Sequence, residues 1–496
     1  MFYVILSSVF TVTSLACISP RNVLLIISDD LRFLDHNSVT PNIDEFARNS
    51  LNFKHAYAQQ ALCAPSRNSF LTSRRPDTLR LFDFNNYWRT FVGNFTTLPQ
   101  YLKSHNYDTY SIGKTFHPGI SSNFNDDYPL SWSRKPYHPP SEEYMNKPTC
   151  PQSGALRRNI FCPVRVKFQP MKTLPDIQSI NAAKRYLRRP RTQPFFLSVG
   201  LHKPHIPFRF PLKFVKFHPL SKFTKPEFNY VPHDIPSVTF NPFNDIRKRD
   251  DAKAANISFP FGPIPNDFGL SIRQGYYASV TYVDSLIGRL LKYVDPNDTV
   301  VALIGDHGWS VGNHGAWAKY SNFDVAVRVP MIIYSPDFRG LDRNINHNVE
   351  LVDLFPTLVD LIGLPLLQKC VNKNEILCTE GKSLRKYFNN HLLEEDETLA
   401  YSQYPRPSSY PSKVPNSDEP KLDEITIMGC SVKTDRFRYT LWVGYNSTTF
   451  TKDFNAVYGE ELYDHSVDPD ENMNLALRTQ FNDLRNRLLQ LLRINF

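Results

Sequence analysis

Four apolar runs in the chain each end directly in a polar or charged cluster. The first, Asn22–Ser28, is continuously apolar, as expected of a strand buried on both faces of a sheet, and it ends in Asp29 and Asp30. The others are 109–113 before Lys114 and His117, 195–200 before 202–207, and 300–305 before Asp306 and His307. Because open α/β sheets bind ligands at the carboxyl ends of their strands, we predict an α/β fold with a site at that edge.

The length of the chain and a change of pattern near residue 395 predict two unequal domains. At 496 residues the chain is longer than one hydrophobic core usually accommodates. The later part carries an amphipathic helix pattern at about 474–492, preceded by short strand patterns at 399–404, 425–432, 437–443 and 461–463. We predict a large domain over 18–392 and a smaller C-terminal subdomain, an antiparallel sheet with a helix, over 393–496.

Helical patterns and Pro-rich stretches fill the large domain between the predicted strands. Apolar residues recur at helical spacing between Tyr276 and Leu290, and shorter helices are predicted from 41 and at 98–102. The stretches 134–175 and 203–265 are rich in proline and lack periodicity, which favours long loops on the rim of the site.

The net charge of the chain narrows the classes of partner. Lys and Arg number 57 against 48 Asp and Glu, a formal charge of +9 that favours acidic partners. No nucleic-acid motif or basic run accompanies this charge, so we predict no nucleic-acid partner. A sulfated polysaccharide fits the charge equally well, and a diffusely solvated surface remains the alternative.

Several features indicate the secretory pathway. Residues 1–17 resemble a signal peptide, with an apolar centre and small residues before the cleavage site, and no later segment reaches membrane-spanning length. Glycosylation sequons begin at Asn94, Asn256, Asn297 and Asn446. We predict a protein without a membrane span, destined for the lysosome or the extracellular space.

The seven cysteines fall into distinct groups. Cys150 and Cys162 form one close pair and Cys370 and Cys378 another, both plausible disulfides in an oxidising compartment. Cys17 lies at the signal boundary, and Cys430 is predicted to be a buried thiol in a strand. The remaining cysteine, Cys63, lies in a motif of its own.

That motif is Cys63-Ala64-Pro65-Ser66-Arg67. Pro65 favours the first turn of a helix, where free backbone N–H groups and the helix dipole attract an anion. A cysteine in this field is expected to have a lowered pKa. The alternative is a buried structural cysteine.

The polar clusters supply the residue types needed to process a doubly charged oxyanion ester. Asp29, Asp30 and Asp306 offer hard oxygen ligands for Ca²⁺ or Mg²⁺, and His307 adds a nitrogen. Fixed positive charge and groups that titrate near neutrality come from a second set of side chains: Arg67, Lys114 and Lys319, with His117 and His205. Each residue alone could be structural, whereas the combination points to a catalytic site.

The Cys-x-Pro-Ser-Arg string resembles the signature of the sulfatase family, although Ser73 stands where that pattern often has glycine. Further strings carry the same resemblance from Asn22 to about Asp468: 58–60, 75–77, 113–119, 202–209, 317–324, 401–407 and 461–464. The resemblance implies an alkaline-phosphatase-like large mixed-sheet domain. It also implies that a formylglycine-generating enzyme converts Cys63 to formylglycine, the catalytic aldehyde.

The resemblance assigns a role to each candidate. Hydrated formylglycine at position 63 would bind one Ca²⁺ together with Asp29, Asp30, Asp306 and His307, although many sulfatases carry Asn where His307 stands. The catalytic roles fall on other residues: His205 and Lys319 at the departing sugar oxygen, His117 as proton acceptor, and Arg67 and Lys114 at the diol and sulfate oxygens.

The implied substrate is a sulfated glycosaminoglycan, cleaved at the 2-O-sulfate of non-reducing-end iduronate in heparan and dermatan sulfate. His202, Lys203, Arg209 and Trp309 are candidate contacts to the sugar, the first three to its carboxylate; alternatively, those three only brace a rim loop. Two other functions stay open: a hydrolase of phosphate esters, phosphonate esters or another sulfated sugar, and a non-catalytic protein that binds polyanions.

Overall fold

The computed structural model describes residues 21–223, 230–338, 343–372, 374–388 and 397–496. The predicted signal peptide and Cys17 lie outside these residues. The strands are β1 Asn22–Ser28, β2 Leu51–Tyr57, β3 Asp108–Gly113, β4 Cys150–Gln152, β5 Ala155–Arg157, β6 Phe161–Val164, β7 Phe195–Leu201, β8 Phe208–Pro211, β9 Thr299–Gly305, β10 Ser310–Val311, β11 Trp317–Ala318, β12 Arg328–Tyr334, β13 Arg343–Glu350, β14 Ala400–Arg406, β15 Ile427–Lys433, β16 Phe437–Asn446 and β17 Thr451–Asp464. The α-helices are α1 Pro41–Arg48, α2 Cys63–Thr72, α3 Pro76–Leu79, α4 Trp88–Phe91, α5 Leu98–Ser104, α6 Pro175–Leu187, α7 Asn244–Arg247, α8 Asp250–Ala254, α9 Asn266–Leu291, α10 Asp324–Val327, α11 Leu354–Leu361 and α12 Asn482–Asn495.

A seven-stranded mixed sheet in the order β13-β2-β12-β9-β1-β7-β3 forms the centre of the large domain. The four predicted strands are its parallel block, β9-β1-β7-β3. Their ends are level, because Ser28 pairs with both Leu201 and Gly305, and Gly113 pairs with Gly200. The polar clusters that follow these strands therefore meet at one edge, as predicted.

Helices cover both faces of this sheet, which explains the continuous apolar run in β1. Leu24 and Ile26 face a core that includes α9, α6 and α1 residues, whereas Val23, Leu25 and Ile27 face residues of α2, α5 and α11. Alternate side chains of one strand thus enter two different cores.

The C-terminal part is an antiparallel sheet, β14-β15-β16-β17, with α12 packed against it through Leu488 and Leu492. The predicted sheet-plus-helix subdomain is confirmed, although β17 is 14 residues long and α12 begins at Asn482 rather than near 474. The predicted domain boundary at 392 falls outside the described residues and stays a prediction.

Three strands of the large sheet, β2, β12 and β13, are absent from the sequence prediction. β2 exposes Lys54 within its burial pattern and β12 carries Pro330, so neither presents a clean apolar or alternating run. The two segments expected to be loops were also read incorrectly in part, because 134–175 contains β4, β5 and β6 and 203–265 contains β8, α7 and α8.

The two predicted disulfides and the buried thiol of Cys430 are confirmed. Cys150 is bonded to Cys162 and Cys370 to Cys378, while Cys430 is a buried free thiol in β15. All four sequon asparagines are exposed, as glycosylation requires, and their modification stays a prediction. Within the described part of the chain, none of the helices is long and apolar enough to cross a bilayer.

Candidate active site

Cys63 is the first residue of α2, a helix whose ten residues are all buried beneath the carboxyl edge of the sheet. The hydroxyl of Ser66, one turn on, donates to the backbone oxygen of Asp306 and fixes the helix start against the end of β9. Ser73 ends the helix in the left-handed conformation, with φ of 52°. That conformation accounts for the glycine in the family pattern.

Three carboxylates meet beside Cys63. One oxygen from each of Asp29, Asp30 and Asp306 lies within 4.8 Å of the other two. Asp306 Oδ1 accepts from the backbone N–H groups of Asp30, at 2.9 Å, and His307, at 3.0 Å, which holds the ends of β1 and β9 together.

Asp30 reaches this cluster through an unusual backbone conformation, with φ of 62°. Its carbonyl oxygen accepts from the hydroxyl of Tyr276 at 2.8 Å, and that hydroxyl accepts from the N–H of Arg32. Trp309 stacks on Tyr276, with centroids 5.5 Å apart, and is fully buried. Trp309 therefore supports the turn that presents Asp30, and its position does not fit the predicted contact with substrate.

Two cationic side chains, Arg67 and Lys114, also bind these carboxylates. Arg67 donates to Asp29 Oδ1 and to Asp306 Oδ2, both at 2.9 Å, and to the carbonyl of Thr115, and none of its surface is exposed. Lys114 Nζ lies 2.6 Å from Asp29 Oδ2 and 3.5 Å from Cys63 Sγ. Arg67 is thus committed to orienting two carboxylates, which does not fit the predicted direct grip on sulfate.

Lys319 and His307 complete the surroundings of the sulfur. Lys319 Nζ lies 3.1 Å from Cys63 Sγ and 2.9 Å from Asp30 Oδ1. His307 Nδ1 donates to the carbonyl of Gly308 at 3.0 Å, so Nε2 carries the lone pair in the neutral ring, and Nε2 lies 3.4 Å from Cys63 Sγ. Burial lowers the pKa of His307 to about 4, which keeps the ring neutral, as a metal ligand must be.

The thiol itself does not have the expected lowered pKa. Burial is the main cause that raises the pKa of Cys63 to about 12, with the neighbouring carboxylate of Asp29 adding to it and the two lysines opposing it. The prediction from the helix terminus was wrong, because burial of the thiol raises its pKa more than Lys114 and Lys319 lower it. Cys63 as an unmodified side chain is a protonated thiol that donates to Asp29 Oδ1.

The arrangement fits a divalent metal ion. Asp30 Oδ2 is buried and has no hydrogen-bond partner, and burial together with the other two carboxylates raises the pKa of Asp30 to about 7, with Lys319 opposing. The three carboxylates form one group of possible ligands, and His307 forms a second group with Asp30 and Cys63. These adjoining groups share Asp30 and offer donors that a divalent ion would satisfy.

A cleft of about 370 Å³ opens onto Cys63. His117 and His205 line it, and His205 Nδ1 donates to the carbonyl of Ile206 at 2.6 Å. Several further residues share this wall and were not among the predicted site residues: Phe84, Arg158, Asp245, Lys248, Arg249, Tyr320 and Glu419. Most come from the two segments read as loops and from the C-terminal part, where residue type alone gives no signal.

His202, Lys203 and Arg209 lie away from the cleft, around a separate small cavity. His202 bridges Glu142, at 2.9 Å, and Asp176, at 3.2 Å. Lys203 and Arg209 donate to backbone carbonyls of the same rim, including that of Pro207 at 2.7 Å. These contacts favour the bracing role over direct contact with the sugar.

The sequence also matches a family model described as Sulfatase over residues 21–364. The chain belongs to the sulfatase family. Sulfatases use a formylglycine and a divalent metal, and this sulfatase presents Cys63 and the carboxylate cluster where such groups would lie. It is a sulfuric ester hydrolase.

Two curated sulfatases are similar over nearly their whole length. Iduronate 2-sulfatase of Homo sapiens is 49% identical over 509 residues, 93% of this chain and 92% of the relative. The Mus musculus iduronate 2-sulfatase is 47% identical over 513 residues, 94% and 93% of the two chains.

Solved structures agree on the fold. A 2-O GAG sulfatase superposes with a TM-score of 0.67 and a phosphonate monoester hydrolase of Agrobacterium radiobacter with 0.70. Each is 20% identical, and the matches cover 96% of this chain and 92% and 96% of the others. The predicted alkaline-phosphatase-like fold is confirmed, and fold likeness does not separate sulfate from phosphonate chemistry.

Proposed function

We propose that this sulfatase removes the 2-O-sulfate from iduronate at the non-reducing ends of heparan and dermatan sulfate. The observation that carries the proposal is the close ring of groups around Cys63 Sγ, with Lys319, His307, Lys114 and Asp29 between 3.1 and 3.6 Å. The substrate assignment is supported by the identity of 47% and 49% to two iduronate 2-sulfatases over more than nine-tenths of the chain.

The groups that the family adds would sit on these residues. Oxidised by a formylglycine-generating enzyme and hydrated, position 63 supplies the oxygen nucleophile. Asp29, Asp30, Asp306 and His307 would hold one Ca²⁺, which supplies positive charge to the nucleophile and to the sulfate oxygens. The three carboxylates are better ligands for calcium than the imidazole of His307 is.

Other side chains of this protein take the remaining roles in the proposed reaction. Arg67 fixes the rotamers of Asp29 and Asp306. Lys114 and Lys319 present ammonium groups to the sulfate oxygens from two sides of position 63. Lys319 and His205 line the cleft where they would face the departing sugar oxygen, and His117, on the same cleft, would accept a proton from position 63.

Recognition of the sugar falls to the cleft wall. A uronate carries a carboxylate beside the sulfate, and Arg158 and Arg249 line the cleft. We assign His202, Lys203 and Arg209 to holding the rim that shapes this cleft. A catalytic domain over 18–392 and a C-terminal subdomain over 393–496 complete the proposal, with the lysosome or the extracellular space as destination.

Defined substrates test the assignment. Purified protein is offered disaccharides with 2-O-sulfoiduronate or 6-O-sulfoglucosamine at the non-reducing end, and a phenyl phosphonate monoester as the second candidate suggested by the phosphonate hydrolase fold. Release of sulfate from the iduronate substrate alone supports the proposal. Cleavage of the glucosamine substrate, or preference for the phosphonate, refutes the substrate while leaving the fold assignment intact.

A further inference from the structure

A second and larger cavity adjoins the cleft and takes no part in the chemistry proposed above. Its volume is about 570 Å³, against about 370 Å³ for the cleft. Lys248 lines both, so the two spaces meet at that side chain. A substrate longer than one sugar has room to continue from the cleft into this cavity.

The cavity is lined by cations and by no carboxylate. Its charged side chains are Arg247, Lys248, Lys253 and Lys413. Among the residues that the structure describes, none of the three lysines forms an ion pair, and Lys413 Nζ lies 4.7 Å from the ring centroid of Phe259. Burial raises the pKa of Glu419 against the opposing charge of Lys248, and the backbone N–H of Arg158 lowers the pKa of Asp250 with a smaller contribution from Lys253. Neither lysine is held in a direct pair within the described residues, so three ammonium groups around one space still make it attractive to an anion.

Arg247 differs from the lysines because it is fully committed to the protein. Its guanidinium donates to the backbone carbonyls of Pro242, Ile257, Ser258 and Pro260, at 2.6 to 2.8 Å. Arg247 thereby holds the backbone at Pro242 close to the backbone of residues 257–260. The cavity is preformed on this side, so a ligand would not have to order it.

The opposite wall comes from the C-terminal part of the chain. Asn244 Nδ2 donates to Asn416 Oδ1 at 2.8 Å, and the Asn244 N–H donates to Asp418 at 2.6 Å. Residues far apart in the sequence therefore form one cavity at the contact between the two parts of the molecule.

Two carboxylates, Asp245 and Glu419, lie on the wall of the cleft. The hydroxyl oxygen of Tyr320 lies 3.0 Å from a carboxylate oxygen of Asp245 and 3.0 Å from one of Glu419, and its single proton can be donated to either. The remaining lone pairs of the two carboxylates suit the hydroxyl groups of a sugar ring. The cleft contains cations and these two acceptors, and the cavity contains further cations. Such a set of groups complements a disaccharide with an anion on each ring.

We infer that the second cavity is a subsite for a sulfate or sulfamate group on the sugar that follows the one being desulfated. The inference rests on the proposed function, because it takes the terminal ring to lie in the cleft. Lysine ammonium groups suit such a role, since they bind sulfate oxygens without requiring one fixed geometry. The cavity would then favour chain ends whose second sugar is sulfated.

The predicted glycosylation site at Asn256 also lines the cavity. A glycan on its exposed side chain would stand beside the entrance. The variant Asn256→Gln therefore belongs in the test, because it separates an effect of the glycan from an effect of the lysines.

Two tetrasaccharides that differ only in the second sugar provide the measurement. Both end in 2-O-sulfoiduronate; one continues with N-sulfo-6-O-sulfoglucosamine and the other with N-acetylglucosamine. The quantity measured is the ratio of the two kcat/KM values, in wild type and in Lys253→Gln/Lys413→Gln. The matched control is Lys184→Gln/Lys292→Gln, the same charge change near the start of the sheet strands, where Lys184 packs on Tyr293.

We expect wild type and control to prefer the sulfated tetrasaccharide by about tenfold, and the cavity variant to prefer it by less than about threefold. The preference of the wild type should also fall at high salt. No preference in the wild type, an unchanged preference in the cavity variant, or an equal loss in the control or in Asn256→Gln overturns the inference. If wild type cleaves neither tetrasaccharide, the proposed function fails instead.

Discussion

Two buried clusters in this molecule combine carboxylates with cations. They contain the same residue types but differ in whether the protein itself satisfies the carboxylate oxygens. One surrounds Cys63, and the other joins Asp324 on α10 to Arg438 on β16 and to Glu471. Each also includes a histidine, and in each three possible ligand atoms lie within 4.8 Å of one another. Proximity of acidic groups alone therefore does not identify a metal site.

The difference lies in whether the oxygens are already satisfied. Asp324 pairs with Arg438 at 2.9 Å and Arg328 at 2.7 Å, while Glu471 accepts from Arg438, His465 and the N–H of Asp324. Every carboxylate oxygen of this second cluster has a partner. Around Cys63, by contrast, Asp30 Oδ2 has no hydrogen-bond partner, and His205 Nε2 lies 4.0 Å from it. An unsatisfied oxygen in a dense acidic cluster is what distinguishes the site that needs an ion.

The largest effect that this comparison predicts belongs to Cys63→Ser. A serine hydroxyl provides one oxygen, whereas release of sulfate with return of an aldehyde needs two on the same carbon. We expect multiple turnover on a fluorogenic sulfate ester to fall by more than about 1,000-fold with an unchanged circular dichroism spectrum. Sustained turnover by this variant would refute a formylglycine mechanism.

Asp30→Ala should come next, because it removes the oxygen that lacks a partner. We expect loss of bound divalent metal and of activity together, and loss of the thermal stabilisation that added metal gives to the wild type. That stabilisation is about 2.7 kcal/mol at a free metal concentration of 100 Kd. Metal analysis by mass spectrometry provides the readout, and full metal occupancy in Asp30→Ala would exclude it as a ligand.

In the second cluster, the matched change is Arg438→Met. It leaves Asp324 and Glu471 buried without their shared cation, so we expect the free energy of unfolding to fall by about 3–5 kcal/mol. Metal content and kcat per folded molecule should stay near the wild-type values. If Arg438→Met loses metal while remaining stable, the two clusters have been assigned the wrong way round.

The smallest effect concerns His202, which lies between the carboxylates of Glu142 and Asp176. Burial opposes the charged ring, but these two partners prevail and raise the pKa of His202 to about 9. A raised pKa stabilises the folded protein fully below about pH 6.5, and this contribution is lost as the pH rises through about 9.

Denaturant titrations from pH 6 to 9.5 measure this contribution. The slope due to His202 is at most about 1.4 kcal/mol per pH unit. His202→Gln should flatten the decline without changing the response to added metal. A decline of the same steepness in the variant would show that other groups cause it.

The parallel block of the sheet and most of the reaction centre could be predicted from sequence. A strand buried on both faces is visible in the sequence as a continuous apolar run. The polar residues that directly follow Ser28 and Gly305 form the site, so locating these strands also locates the site. Strands β2 and β12 could not be found this way, because the exposed Lys54 in β2 and Pro330 in β12 interrupt any clean apolar or alternating run. Lys248 and Lys413 could not be found either, because they share a cavity only after the two parts of the molecule meet.

The burial of individual side chains was the other quantity that the sequence did not contain. Position in a motif indicated that Arg67 and Trp309 belong to the site, but it could not show that both lie behind the reacting surface with no exposed area. The error over the pKa of Cys63 has the same origin, since a motif gives neighbours along the chain and not the depth at which they pack.

The depth of Cys63 also sets an order of events during biosynthesis. Only 2% of this residue is exposed in the folded protein, and α2, which begins with it, is buried along its whole length. If an enzyme oxidises Cys63 as proposed, that enzyme has to reach the sulfur while the nascent chain is still open, before β9 and the segment around Lys319 have joined β1. A molecule that folds before oxidation would be stable and correctly folded but permanently inactive. The yield of active protein would therefore depend on the rate of oxidation relative to the rate of folding.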